Sequence, residues 1–168
     1  MLDILRNRRS IRRYKDKEID PKIVDMLKEA ALRSPSSRGI NPWRFLFIKD
    51  RALLETLSQA KESGSSFLKD ARLGVVVCAK GDESDVWVED CSIASIILQL
   101  TGQSLGLGSC WIQIRNRMHN ETQSSEDYIK EVLRLPEGMK GESIIAFGYP
   151  DETKEPIPRE ELEYEKII

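Results

Sequence analysis

The apolar positions of this chain fall into short, separated blocks, and their spacing predicts an element for each. Leu2 to Asn7 reads as a short helix closed by the charged run Arg8 to Lys15. Asp20 followed by Pro21 is a helix start: a cap, then a proline whose missing N–H would have had no partner. Ile23, Met26, Leu27, Ala30 and Ala31 then recur at helical spacing as far as Arg33. Trp43 to Ile48 predicts a buried strand and Ala52 to Lys61 a further helix. Leu73 to Ala79 is short and β-branched, the pattern of a strand covered on both faces. Strand-like runs follow at Gly108 to Ile114 and Ser143 to Phe147, with a helix from about Ser125 to Leu133 between them.

The segment Val86 to Leu105 carries apolar residues around too much of its circumference for a one-faced helix, and Gly106 ends it as a C-cap. Such a helix needs cover on nearly all sides, either from a central position in one monomer or from a second copy of the chain. Four strands alternating with helices predict an α+β or α/β fold around a central sheet, with parallel and antiparallel pairing left open. No repeat, low-complexity tract or linker divides the chain, so one domain over 1–168 is expected. From Tyr149 onward Pro150, Pro156 and Pro158 forbid a continuous helix, so the tail starts out extended.

Charge narrows the function. The 26 Lys+Arg nearly balance 28 Asp+Glu, so no global field draws the chain to nucleic acid or anionic lipid, and any basic site is local. No apolar run is long enough to span a bilayer, and the N-terminus is charged where a signal peptide needs its apolar region; a cytoplasmic protein is expected. Cys78, Cys91 and Cys110 are odd in number, far apart and set in apolar stretches, which reads as buried thiols. The one histidine, His119, lies in a polar stretch and argues against a His-dependent triad or multi-His metal site. Phosphate-cradling GK(S/T) loops, HExxH, GxSxG and CxxC are absent. Gly106 to Trp111 opens like a dinucleotide fingerprint, but Trp111 stands where the third glycine belongs. Glu89/Asp90 and Glu160/Glu161 are adjacent pairs and read as solvated charge.

Two clusters remain. Arg8, Arg9, Arg12 and Arg13 around Ser10 are either a solvated face or an anion clamp, since guanidinium presents paired donors that suit phosphate. Ser34 to Trp43 is either a helix stop and turn or a ligand loop, rich in hydroxyl, amide and backbone donors before a buried strand. A planar heterocycle with a phosphate tail would use both.

Arg8-Arg9-Ser10-Ile11-Arg12, Ser34-Pro35-Ser36-Ser37 leading into Asn41-Pro42-Trp43-Arg44-Phe45, Gly106-Leu107-Gly108-Ser109-Cys110-Trp111-Ile112 and Gly148-Tyr149-Pro150 resemble, in order and spacing, the nitroreductase family of FMN-dependent flavoproteins. The resemblance spans nearly the whole chain. It implies an α+β, three-layer fold with a central mixed or antiparallel sheet flanked by helices, and a homodimer with FMN at the subunit interface. By the same resemblance Arg8 and Ser10, with the backbone of Arg9, hold the ribityl phosphate, and Arg12 approaches the pyrimidine edge of the ring. Pro35, Ser36 and Ser37, with Asn41, match a loop reaching the flavin from the partner subunit. Ile112, Gln113 and Ile114 match the stretch whose backbone lies near the reactive ring nitrogen. Arg159 resembles the basic residue that closes on the phosphate from the C-terminal segment, which from about residue 149 wraps the partner. The implied activity is ping-pong hydride transfer from NADH or NADPH to nitroaromatic, quinone or similar small planar acceptors. An FMN storage, sensor or flavin-handling protein is the alternative, suggested by two departures. Gly39-Ile40-Asn41 replaces the usual Asn-Ser-Gln, and the chain is too short for the extra helical segment of larger members.

Overall fold

The computed structural model describes residues 1–168. Nine principal elements follow in chain order: α1 (Leu2–Asn7), α2 (Pro21–Leu32), β1 (Trp43–Ile48), α3 (Arg51–Leu57), β2 (Leu73–Lys80), α4 (Trp87–Ser104), β3 (Gly108–Gln113), α5 (Ser125–Leu133) and β4 (Met139–Gly148). Short 3-10 turns lie at Ser37–Gly39, Ser66–Asp70, Arg159–Glu161 and Tyr164–Lys166.

The four strands form one sheet in the order β1-β2-β4-β3, and every neighbouring pair is antiparallel. The pairing that the sequence pattern left open is thus settled, and the fold is α+β. Side-chain alternation divides the core into two layers. Leu73, Val75, Val77 and Ala79 of β2 pack with Val24, Leu27 and Ala31 of α2 and with Cys91, Ala94 and Leu98 of α4. On the opposite face Val76, Ile144 and Ala146 pack with Leu54 and Leu57 of α3 and Ile129 of α5. Burial on both faces is why β2 reads as an unbroken apolar run.

Local signals place most boundaries. Asp20 caps α2 by accepting from the Lys22 N–H at 2.8 Å, with Pro21 in the first turn. Gly106, at φ +79, lets the chain reverse after α4, and the Leu107 N–H reaches back to the Gly102 carbonyl.

Three expectations need correction. Helix α3 ends at Leu57 rather than Lys61, because the Ser58 hydroxyl donates to the Glu55 carbonyl and the chain turns from there. Strand β4 begins at Met139 rather than Ser143. Its polar start, Lys140, Gly141 and Glu142, hid it, and Glu142 is an extra residue where the β2–β4 register shifts. Asp90 is not solvated charge: it is 2% exposed. Helical periodicity places it in the first turn, one turn before the buried Ala94.

Candidate functional site

The charged run after α1 does not wander in solvent; it lies along the sheet as an arm. The Ile11 N–H bonds the Ser109 carbonyl at 2.9 Å, the Lys15 N–H bonds the Tyr149 carbonyl at 2.9 Å, and the Asp151 N–H bonds the Arg13 carbonyl at 2.9 Å. Two glycines make this seat possible. A Cβ on Gly108 would stand 2.8 Å from Ile11, and one on Gly148 would stand 2.7 Å from Tyr14. Gly108 and Gly148 therefore dock the arginine-bearing arm against β3 and β4.

The docked arm forms one wall of a pocket of about 580 Å³, lined by Arg6, Arg8, Arg9, Ser10, Arg12 and Lys154 and by the apolar Leu2, Leu5, Ile157 and Leu162. Arg6 pairs with Asp3, and Lys154 donates to the Ser10 carbonyl at 2.5 Å and lies 3.6 Å from Glu152. The guanidiniums of Arg8, Arg9 and Arg12 have no carboxylate partner; that of Arg12 lies 5.6 Å over the Phe67 ring. Glu152 could have neutralised them but does not. Its Oε1 accepts from the main-chain N–H groups of Arg12 at 2.5 Å and Arg13 at 3.2 Å. The Arg12 amide, foremost, holds the Glu152 carboxyl below its ordinary range. Beneath the arm, burial pushes the Cys110 thiol up, against the opposing pull of the Arg12 charge.

A second cluster forms around Ser36 to Asn41. The Ser36 hydroxyl accepts from the Asn41 N–H at 2.8 Å and donates to the Asn41 Oδ1 at 2.7 Å, closing the loop on itself. Arg38, Gly39 and Asn41 all take left-handed backbone conformations, φ +55, +66 and +54. The Ser37 N–H donates to the Asp90 Oδ1 at 2.8 Å, and Arg38 pairs with Asp85.

A third group sits at the end of β3. Ile112 and Ile114 are buried in the second core layer, so only their backbone can face a ligand. The Gln113 Oε1 accepts from the Trp111 indole N–H at 2.9 Å, and its amide donates to the Arg115 carbonyl at 3.1 Å. Glu142, 3% exposed, approaches the Gln113 amide at 3.4 Å and the Ser92 hydroxyl at 3.5 Å, while its Oε2 has no partner. Burial pushes its carboxyl above the ordinary range.

The chain thus brings Arg8, Arg9, Ser10 and Arg12 to one pocket. Pro35, Ser36, Ser37 and Asn41 form a separate loop, and Ile112, Gln113 and Ile114 a third position. Arg159 is exposed and does not line the pocket, although Ile157 and Leu162 on either side of it do. Sequence reasoning missed Lys154, Glu152, Asp90 and Glu142. Asp90 alone had a usable signal, its place one turn before Ala94 on the buried side of a helix. His119 is held in structure: its Nδ1 lies 2.6 Å from the Gln59 carbonyl and its ring stacks on Tyr128. No helix is long and apolar enough to cross a membrane.

Known proteins give this arrangement a context. The profile of the "Nitroreductase family" matches residues 5–71. A relative from Methanothermobacter thermautotrophicus, provisionally named as an NADH dehydrogenase/NAD(P)H nitroreductase, is 32% identical over 156 residues, covering 91% of this chain and 78% of the relative. An NADH dehydrogenase of Thermus thermophilus is 35% identical over 189 residues, covering 96% of this chain and 91% of its own. Among solved structures, an FMN-dependent nitroreductase from Clostridium difficile R20291 superimposes with a TM-score of 0.98 at 43% identity, covering 100% of this chain and 98% of its own. Identity at this level over nearly the full length, together with the shared fold, places the chain in the nitroreductase family.

Proposed function

We infer that the protein is a homodimeric FMN-dependent NAD(P)H oxidoreductase that reduces nitroaromatic, quinone or similar planar acceptors. One observation carries this reading: the guanidiniums of Arg8, Arg9 and Arg12, without carboxylate partners, surround one pocket together with Lys154 and Ser10. That donor set fits the phosphate of FMN, which carries about −1.5 to −2 charge at neutral pH by analogy with phosphorylated side chains, so two or three guanidiniums balance it. Bound FMN would supply the hydride acceptance and donation that no side chain here can perform. The chain's own residues bind and orient. Arg8, Ser10 and the Arg9 backbone hold the phosphate end, and Arg159 closes on it from the C-terminal segment. Arg12 would set a fixed positive charge near the ring of a bound FMN and so favour its more negative, reduced form. Pro35, Ser36, Ser37 and Asn41 would serve the partner's site, and the Ile112–Ile114 stretch would offer its backbone to a bound ring.

A second copy is part of this reading. Ile93 and Ile96 on α4 are 40% and 37% exposed, and Ile157, Leu162, Tyr164 and Ile167 add further uncovered apolar surface along the C-terminal segment. Cover by another protomer accounts for both.

The test is direct. The purified protein should be a yellow dimer that releases flavin on denaturation. It should consume NADH or NADPH when menadione or nitrofurazone is added, with parallel double-reciprocal plots. A colourless protein that takes up no added FMN would falsify the reading. The second reading, an FMN carrier, is favoured by the open loop: a Cβ on Gly39 would meet nothing within 4 Å. FMN binding with donor consumption no faster than air oxidation, whatever the acceptor, would establish it.

A further inference from the structure

One buried charge has no part in the phosphate pocket. Asp90 is 2% exposed, pairs with no cation, and lies in the first turn of α4, where the helix dipole favours negative charge. Its Oδ1 accepts from the Ser37 N–H, 53 residues away in sequence, at 2.8 Å, and its Oδ2 lies 3.4 Å from the Ser84 hydroxyl. The loop beyond Ser37 turns through three left-handed residues, a course that an untethered chain abandons readily. The other restraints are weaker. The Arg38–Asp85 pair is 62% and 76% exposed, which makes it a poor anchor; the half-exposed Arg44 guanidinium donates to the Asn41 carbonyl at 3.1 Å but holds only the far end of the loop; and the Ser36–Asn41 bonds tie the loop only to itself.

We propose that Asp90 is a positioning residue: its buried carboxylate clamps the Ser37 main-chain N–H to α4 and so presents the Ser36–Asn41 loop in the shape that contacts FMN. This rests on the reading that the loop is part of the FMN site. A charged acceptor on a main-chain N–H in a buried setting is among the stronger single hydrogen bonds, and losing it leaves an orphaned donor. The same carboxylate couples the loop to α4, the helix whose uncovered Ile93 and Ile96 await a second copy, so loop shape and dimer surface share one anchor.

The experiment compares the wild-type chain with Asp90→Ala and Asp90→Asn, using FMN titration by flavin fluorescence, visible circular dichroism of bound flavin, and thermal melts of the apo forms. Asp90→Ala should weaken FMN binding by about tenfold or more and alter the flavin dichroism. Asp90→Asn should restore most of both, because its side-chain oxygen accepts the same N–H and its amide can donate to the Ser84 hydroxyl. Wild-type FMN affinity and dichroism in Asp90→Ala, even with a lower melting temperature, would overturn the proposal. So would an Asp90→Asn variant as impaired as the alanine. Should Asp90→Ala not fold, Ser37→Pro removes the same N–H from the surface side, and Ser36, at φ −140 and ψ 158, already has the backbone that a following proline requires. It should show the same loss, and undiminished affinity there would refute the clamp. Wild-type protein that binds no FMN would refute the reading of the site itself, a result distinct from a variant that binds as well as the wild type.

Discussion

Gly108→Ala tests the seat of the arginine arm. The added Cβ would stand 2.8 Å from the Cβ and Cγ2 of Ile11 and 2.9 Å from its Cγ1. Carbon atoms pack best at about 3.5–4.0 Å, so the arm must retreat by about 0.7 Å. The bond from the Ile11 N–H to the Ser109 carbonyl, now 2.9 Å, would stretch past hydrogen-bond length. Overpacking costs about 1–3 kcal/mol and the lost bond about 0.5–1.5 kcal/mol, so the expected destabilisation is about 1.5–4.5 kcal/mol. Urea titration of the apo protein at fixed protomer concentration should show it as a lower midpoint with unchanged slope. Gly106→Ala is the control: its Cβ meets nothing within 4 Å, so only the left-handed backbone strain remains, about 1–2 kcal/mol. If Gly108→Ala destabilised no more than Gly106→Ala, close approach of arm to sheet would not be what those glycines serve.

Arg8→Ala should weaken FMN retention by about 1–3 kcal/mol, read as the dissociation constant from fluorescence titration, since one charge-assisted partner of the phosphate is removed; unchanged affinity would mean the phosphate lies elsewhere. Glu142 makes stability depend on pH with a definite sign. Its folded pKa lies above the unfolded one, so its contribution is fully present below the ordinary carboxylate range and is lost as pH rises through the folded value. Glu142→Gln should therefore flatten the fall in melting temperature from weakly acidic to neutral pH, and a variant that kept the wild-type slope would exclude this carboxyl as its source. Burial pushes the Cys78 thiol up to about 12, and Cys91 and Cys110 are likewise buried and raised. A disulfide reagent at pH 8 should leave all three unmodified in the native protein and titrate three after unfolding, whereas a rapid native reaction would contradict their burial.

Legibility in the sequence followed how local each cause is. Boundaries set by neighbours in the chain were readable. Asp20 and Pro21 start α2, Gly106 stops the segment before it, and α5 and β1 run over the residues their apolar spacing marks out. Features set by distant partners were not. The polar first half of β4 is a strand because β2 lies beside it, not because Lys140 or Glu142 prefers to be one. The basic cluster is visible as composition, yet it takes the Gly108 and Gly148 contacts and the distant Glu152 to explain why four arginines stay together on a surface where they repel. Lys154 reaches the same pocket from 144 residues beyond Ser10, a distance no local pattern encodes. Ile112 and Ile114 stand out in the sequence by their position in a motif, and their burial leaves that position only its backbone to offer.

Glu152 answers a problem that any anion site poses. A binding site for an anion must keep its cations unpaired, yet unpaired cations close together push apart the segments that carry them. A carboxylate placed between two such segments would normally neutralise a guanidinium and cancel the site. Glu152 accepts instead chiefly from the main-chain amides of Arg12 and Arg13, with the Arg13 and Lys154 side chains farther off at 4.0 and 3.6 Å. The negative charge lowers the repulsion and the hydrogen bonds fix the backbone, while the guanidiniums of Arg8, Arg9 and Arg12 still face the pocket. In the proposed site the ordering entropy of the arm is in this way met during folding, and a phosphate would meet donors already in place.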